Sequence, residues 1–377
     1  VIADTRWGAY IHVPWCRRRC PYCAFYVEVD RGTDWRAFAD AVVAEVDLRR
    51  PSFAGPPSTV FFGGGTPSRM PPPLFRRLVT HLNPIVGAEV SAEINPEDVT
   101  PDTLAALRDA GITRASVGLQ TMDNRFAPLL NRACTIERAS EVAREVAEAG
   151  FESWSADVMF ALPGQTLGDL DADLDRLLAA DPPHVSLYGL TIEPGTPFER
   201  GVARGALVPV DDDTWREMYD HVRARLAERG YEQYEVSNFA RPGHRSRHNR
   251  LYWTDRPYLG VGPSAHGLLP DGTRYANIAD ARRYLTHADP TDVVEPFEPR
   301  ARAIDLLISN LRHIEGFDID HCVRVTGLAP RSAAVAALIR AGALDQVGAT
   351  LRLTPAGFPI ADGVAGRLAD ALAPAST

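Results

Sequence analysis

The stretch YIHVPWCRRRCPYCAFY, residues 10–26, sets three cysteines, Cys16, Cys20 and Cys23, in a C-x3-C-x2-C pattern directly after a short β-rich run. Residues 8–13 (GAYIHV) predict a strand, so the thiols fall at its C-terminal end. Thiolates are soft ligands that suit iron–sulfur clusters and zinc. Three of them can hold three irons of a [4Fe–4S] cube and leave the fourth iron open to a small molecule. A structural zinc site needs a fourth ligand, and His12 is the neighbour at hand. His12 falls in mid-strand, however, and C-x3-C is an unusual zinc spacing, so the cluster is the favoured reading. Cys134 and Cys322 stand alone in the chain and read as small buried hydrophobes.

Working outward from that strand, further β-rich runs come at 59–62, 89–94, 114–118, 153–160 and 184–190. Helical patterns separate them at 35–49, 73–82, 101–110, 136–149 and 167–180. Thr100 before Pro101 marks a helix start, and Gly111 and Gly150 mark stops. Strands alternating with helices predict right-handed crossovers and a parallel sheet. The fold class is α/β. Six units are too few for a closed eightfold barrel, which leaves a partial (βα)6 barrel or a doubly wound sheet. Either places the site at the C-terminal strand ends, where the motifs cluster. A helix at 213–229 and a strand at 233–237 extend this domain. Residues 240–272, rich in Gly, Pro, His and aromatics, read as irregular. From 299 the pattern is mainly helical, with a strand pair or wing around 349–353 and fraying beyond 372. The expected divisions are 1–240 for the core, 241–298 for a connecting segment and 299–377 for a smaller, mainly helical C-terminal domain.

With 45% hydrophobic and 24% charged residues among 377, the chain has the balance of a soluble globular protein. A net charge of −9 argues against broad binding to nucleic acid or anionic lipid. No apolar run approaches the roughly 20 residues that span a bilayer. The first ten residues carry no export-signal pattern. An odd cysteine count with three thiols in eight residues fits metal chemistry rather than disulfides, so the expected compartment is the cytoplasm.

Other polar and flexible residues fall at successive strand ends. Gly63-Gly64-Gly65-Thr66-Pro67 follows the second run and permits close backbone approach to a ligand. Glu93 ends the third run, Gln120 follows the fourth and Asp157 lies in the fifth. Arg132 can pair with a carboxylate. Read singly, each of these is as well explained by a cap, a turn or solvation. Together with the cysteines, the segments YIHVPWCRRRCPYC, FFGGGTPS, EINPE and SVGLQ resemble the radical SAM superfamily. They are most similar to its oxygen-independent coproporphyrinogen III oxidase-like branch, which includes the HemW haem chaperones, and the resemblance runs along nearly the whole chain. It implies a radical SAM barrel with a HemN-like C-terminal domain. It also implies a [4Fe–4S] cluster on Cys16, Cys20 and Cys23 whose open iron chelates S-adenosylmethionine (SAM). SAM contacts are implied at Tyr10, Tyr22, Gly64, Gly65, Thr66, Glu93, Gln120, Arg132 and Asp157.

His248-Asn249-Arg250-Leu251-Tyr252-Trp253 matches the HNxxYW pattern that resembles the chaperones' haem-binding motif. A neutral imidazole is a good axial ligand, Tyr252 and Trp253 offer flat apolar faces, and Arg241, Arg245, Arg247 and Arg250 can pair with propionates. A polar-aromatic turn with a hydrogen-bonded histidine is the plain alternative, and His244 and His266 are weaker ligand candidates. Two functions stay open. One is a haem-binding carrier that passes haem to acceptor proteins, with cluster and SAM in support. The other is a radical enzyme, either a coproporphyrinogen III dehydrogenase or a related methylase. Phe25 stands where the dehydrogenase pattern has a further cysteine, and only nine residues precede Tyr10 where that enzyme has a longer extension. Both features favour the carrier. Expected partners are haem and haem-accepting proteins, with no nucleic acid. Peripheral membrane contact and a homodimer are left open.

Overall fold

The computed structural model describes residues 6–132 and 134–375. Six parallel strands, β1 (Gly8–Val13), β2 (Thr59–Gly64), β3 (Glu89–Ile94), β4 (Arg114–Gln120), β5 (Ser153–Phe160) and β6 (His184–Gly189), lie side by side in chain order. A doubly wound sheet would reverse direction at a switch point; this one never does, so the architecture is the partial barrel. Helices α1 (Trp35–Arg49), α2 (Pro72–Leu82), α3 (Pro101–Asp109), α4 (Ile136–Glu148) and α5 (Leu167–Ala179) occupy the crossovers.

Strand alternation separates two environments. Ile11, Phe62, Ala92, Val117, Ala156 and Val185 join the apolar layer under the helices, which contribute Phe38, Phe75, Leu107, Val142 and Leu174. The intervening residues, among them Tyr10, Glu93, Ser116, Ser155 and Ser186, line the barrel interior instead. The lumen is therefore polar, whereas strands covered on both faces are usually apolar throughout.

After α6 (Pro197–Ala203) and α7 (Asp212–Glu228) the sheet turns antiparallel. The run expected as one strand at 233–237 is instead a hairpin, β7 (Glu232–Gln233) and β8 (Asn238–Ala240), with residues 234–237 in its turn. The segment expected to be irregular at 240–272 is also ordered. It holds helix α8 (Arg247–Trp253), strand β9 (Tyr258–Val261), which pairs parallel with β1, and strand β10 (His266–Leu268). Strands β11 (Arg274–Asn277) and β12 (Thr291–Glu295) complete a twelve-stranded sheet. The short helix α9 (Ala281–Tyr284) falls between them.

The C-terminal part packs α10 (Pro299–Leu311), α11 (Ile319–Thr326), α12 (Ser332–Arg340) and α13 (Ala361–Asp370) around the hairpin Leu344–Val347/Thr350–Leu353. The expected fraying beyond 372 is corrected through Pro374. Leu372–Pro374 pairs with Leu328–Pro330, and the last two residues lie outside the described chain.

Candidate functional site

β1 continues past Val13 into the cysteine loop, and the glycine run after β2 lies against it. The Gly65 amide donates to the Val13 carbonyl (2.8 Å) and the Thr66 amide to the Trp15 carbonyl (3.0 Å). This closeness excludes side chains. Gly64 has φ +106°, and a Cβ there would collide with the His12 ring; one on Gly65 would lie 2.7 Å from the Val13 oxygen. The loop is clamped from outside. Arg17 pairs with Asp98 (2.6 Å), Arg18 with Glu97 (3.1 Å), and Asn131 donates to the Arg19 carbonyl (3.0 Å). Cys16, Cys20 and Cys23 are half-buried free thiols. Burial pushes Cys16 up to about 11, against a lowering hydrogen bond from Thr66, and burial also raises Cys23. Cys16 and Cys23 therefore keep their protons at neutral pH, so metal uptake would release protons.

His12 is not free to join them. Its Nε2 hydrogen-bonds the Tyr26 carbonyl (2.9 Å), which can only accept, and so Nε2 carries the proton. Its Nδ1 then accepts from the Tyr10 hydroxyl (3.0 Å). Among the described residues, no three His, Cys, Asp or Glu side chains converge as a single metal ion requires. The zinc reading loses its fourth ligand. A cube, whose irons sit at separate corners, asks only that its thiols surround a common volume.

Such a volume exists. A cavity of about 510 Å³ runs from the cysteine loop down the barrel. The three cysteines, all nine residues expected to contact SAM, and His248, Asn249 and Tyr252 of the HNxxYW segment line it; Trp253, the flanking arginines, His244 and His266 do not. Glu93 accepts from the Gly64 amide (3.0 Å); burial, with Asp157 nearby, lifts its carboxyl to about 8. Asp157 accepts from Ser116 (2.6 Å) and Ser155 (3.1 Å), and burial raises it as well. Gln120 ends β4 in the left-handed region (φ 68°), beside a register shift against β5. Arg132 donates through Nη2 to the Gly118 carbonyl and to Asn95 (3.1 Å), while its buried Nε has no partner. Tyr22 hydrogen-bonds Cys20 and packs near Phe198.

The far end of the cavity is closed by α8. Glu89, at the start of β3, accepts from the Arg247 (3.0 Å) and His248 (2.9 Å) amides and so caps the helix. His248 is fully buried. Its Nδ1 bonds the Thr59 hydroxyl (2.7 Å), its Nε2 bonds the Tyr252 hydroxyl (2.8 Å), and Phe61 stacks on the ring. Burial holds the imidazole down to about 3, so it is neutral. The HNxxYW segment is thus a helix plugging the barrel floor, with both ring nitrogens of its histidine engaged.

Several haem-contact expectations meet a different geometry. Trp253 is not part of the cavity wall; its carbonyl accepts from Asn310 (2.6 Å). The four arginines already have partners: Arg241 with Asp181, Arg245 with Glu232 (2.9 Å), Arg247 with the Gly87 carbonyl (2.9 Å), and Arg250 with Glu315 (2.5 Å). His244 bonds Ser153 (3.0 Å), and His266 is exposed. Sequence reasoning missed Arg114 and His184, buried on the lumen floor, each with one nitrogen lacking a partner. The available signal was the polar alternation Arg114-Ser116-Gly118-Gln120 along one strand.

The family model described as radical SAM superfamily matches residues 10–177. The heme chaperone HemW of Mycobacterium tuberculosis (strain ATCC 25618 / H37Rv) is 36% identical over 372 residues, covering 95% of this chain and 93% of that protein. The heme chaperone HemW of Escherichia coli (strain K12) is 33% identical over 305 residues, 77% of this chain and 80% of that one. Among solved structures, the coproporphyrinogen III oxidase HemN of Escherichia coli superposes with a TM-score of 0.81 at 21% identity. That match covers 96% of this chain and 90% of the other, a likeness of fold. Among the described residues no helix is long and apolar enough to cross a membrane. With this barrel, this cysteine loop and relatives aligned along nearly its full length, the chain belongs to the radical SAM superfamily, in the HemN-like family that includes the HemW proteins.

Proposed function

We infer that the protein is a haem chaperone that carries a [4Fe–4S] cluster and SAM and hands haem to acceptor proteins. The observation that carries this reading is one continuous cavity joining the cysteine loop to the HNxxYW helix. It occurs in a chain whose relatives, named heme chaperone, align along most of its length. Phe25 supports it, standing where the dehydrogenase pattern has a cysteine.

The residues suit the cofactors. Cys16, Cys20 and Cys23 would hold the cluster, which when bound supplies an open iron and one electron. Three thiols flanking a cavity, next to a backbone from which Cβ atoms are excluded, fit a bulky inorganic group and its ligand. The orphaned Arg132 Nε is a donor for the SAM carboxylate. Glu93, lifted to about 8, is mostly protonated at neutral pH, which spares the pocket a second full negative charge beside Asp157.

For haem, His248 has the right protonation state, since a neutral imidazole is the ligand form. Its Nε2 becomes available when the Tyr252 hydroxyl leaves, and Thr59 on Nδ1 then fixes the ring orientation. The test is a haem titration of the anaerobically reconstituted full chain. A stoichiometric Soret shift is expected in wild type and in Tyr252→Phe, and none in His248→Ala. An absent shift in wild type, with conversion of coproporphyrinogen III under reductant and SAM, would overturn the chaperone reading.

A further inference from the structure

His12 takes no part in the wall of the main cavity, yet the wall is built around it. It lies in mid-strand in β1 and is 5% exposed. Two glycines in the left-handed region make room for it. A Cβ on Gly64 (φ +106°) would strike the imidazole, and one on Gly262 (φ +103°) would strike the His12 carbonyl. The residue is wedged between the glycine run after β2 and the turn after β9, and its two ring nitrogens have fixed partners.

The partners set the direction of each bond. The Tyr26 carbonyl can only accept, so Nε2 carries the ring proton. Burial lowers the affinity of the imidazole for a second proton, which leaves Nδ1 bare. Nδ1 can then only accept, and the Tyr10 hydroxyl donates to it (3.0 Å). A phenol has one proton to give. Burial, with Glu93 nearby, keeps Tyr10 in the protonated form. With that proton spent on His12, the oxygen of Tyr10 has only lone pairs left for a ligand in the cavity it lines. It can accept from an O–H or N–H group and cannot donate to a carboxylate. The other end is anchored as well. The Tyr26 hydroxyl donates to Glu28 and accepts from the Ala281 amide at the start of α9 (2.7 Å). One chain of contacts thus runs from the connecting segment, through the tail of the cysteine loop, to Tyr10.

We propose that His12 is a positioning residue for the SAM pocket: it fixes the Tyr10 hydroxyl as a pure acceptor for a donor group of SAM and ties that acceptor to the tail of the cysteine loop. His12 does not line the cavity and acts through Tyr10. This role rests on Tyr10 meeting SAM, and it adds the direction of that hydrogen bond and the residue that sets it.

Two replacements divide the two jobs of the histidine. Asparagine puts an oxygen near the Nδ1 position and can still accept from Tyr10. Glutamine puts its amide nitrogen near the Nε2 position and serves the Tyr26 carbonyl instead. The test measures SAM affinity by equilibrium dialysis, beside iron and sulfide content, on the anaerobically reconstituted full chain. Tyr10→Phe and His12→Gln should each weaken SAM about three- to tenfold, the range for one hydrogen bond, with iron and sulfide unchanged. His12→Asn should keep the wild-type affinity. In the Tyr10→Phe background, His12→Gln should weaken SAM no further, because the two residues act as one unit. Nitrogen-15 histidine NMR of wild type should show the Nε2–H tautomer at His12, and the Nδ1 signal should move in Tyr10→Phe. Losses that add in the double variant, a His12→Gln variant with wild-type affinity, or an equal fall in cluster content in the Asn and Gln variants would overturn the role. An Nδ1–H tautomer in wild type would overturn it even if the His12 variants fail to fold. Wild type that holds its cluster and takes up no SAM would remove the SAM pocket itself, and Tyr10→Phe with wild-type affinity would remove Tyr10 from it; either result takes the role of His12 with it.

Discussion

Replacing Glu89 by Gln tests whether one carboxylate fastens the plug on the barrel floor. In the folded chain, one carboxylate oxygen accepts from the Arg247 amide at 3.0 Å and the other from the His248 amide at 2.9 Å. Glu89 is 5% exposed and His248 fully buried, so water does not substitute. A glutamine of the same shape keeps one accepting oxygen and turns an NH2 toward the other amide. One hydrogen bond to a charged group is lost, and one buried N–H is left unpaired. Each is worth about 1–3 kcal/mol; because they overlap, the expected cost is about 2–4 kcal/mol. α8 spans only seven residues and cannot persist on intrinsic propensity. The cost should therefore appear first as local opening. Amide exchange at Arg247 and His248 should accelerate by about 30- to 1,000-fold, the same free energy at about 1.4 kcal/mol per decade. Native-state hydrogen exchange read by NMR, beside a urea melt, measures both effects. Protection at these amides unchanged, with stability within about 0.5 kcal/mol of wild type, would refute this account of the plug.

Three further outcomes are expected. Cys20→Ala should lose the brown chromophore after anaerobic reconstitution, and iron and sulfide retained at wild-type stoichiometry would remove Cys20 from the ligand set. Burial lifts the Glu235 carboxyl to about 7 from 4.5, so the folded chain keeps a proton that the unfolded chain has shed; stability should decline as pH rises through that window. Glu235→Gln should flatten the decline, and an unchanged slope of urea midpoint against pH would dismiss the assignment. Asp255 is 10% exposed at its side chain and holds both Arg302 and His321 (2.9 Å). Asp255→Asn should cost about 3 kcal/mol by leaving a buried guanidinium uncompensated, a loss a denaturant midpoint will register or disprove.

The barrel was legible because its signals are local. Each strand up to Gly189 has its own β-rich run, and Thr100 and Thr166 cap their helices by hydrogen bonds within three residues. The cysteine loop and the glycine run were legible because ligation and close approach demand those residue types. What stayed hidden depends on distant partners. α8 is capped by Glu89, 158 residues earlier, and nothing inside RHNRLYW announces a helix. Strand β9 is defined by its parallel neighbour β1 rather than by its own short sequence. The propionate role given to the arginines flanking HNxxYW assumed free cations, and each is tied to an acid or carbonyl that only the fold brings near. Trp253 fell outside the cavity because a seven-residue helix presents few residues to any one side.

The sequential order of β1 to β6 lets each new strand of a growing chain dock on the one made just before it. The floor does not follow that rule. Thr59 and Glu89 must wait for His248, and the outer edge of β1 must wait for residues 258–261 to leave the ribosome. Until then the nascent half-pipe is open below and carries a bare strand edge, the kind of surface that invites mispairing. Assembly should therefore be slowest, and most dependent on chaperone shelter, in the interval before the last third of the polypeptide is translated.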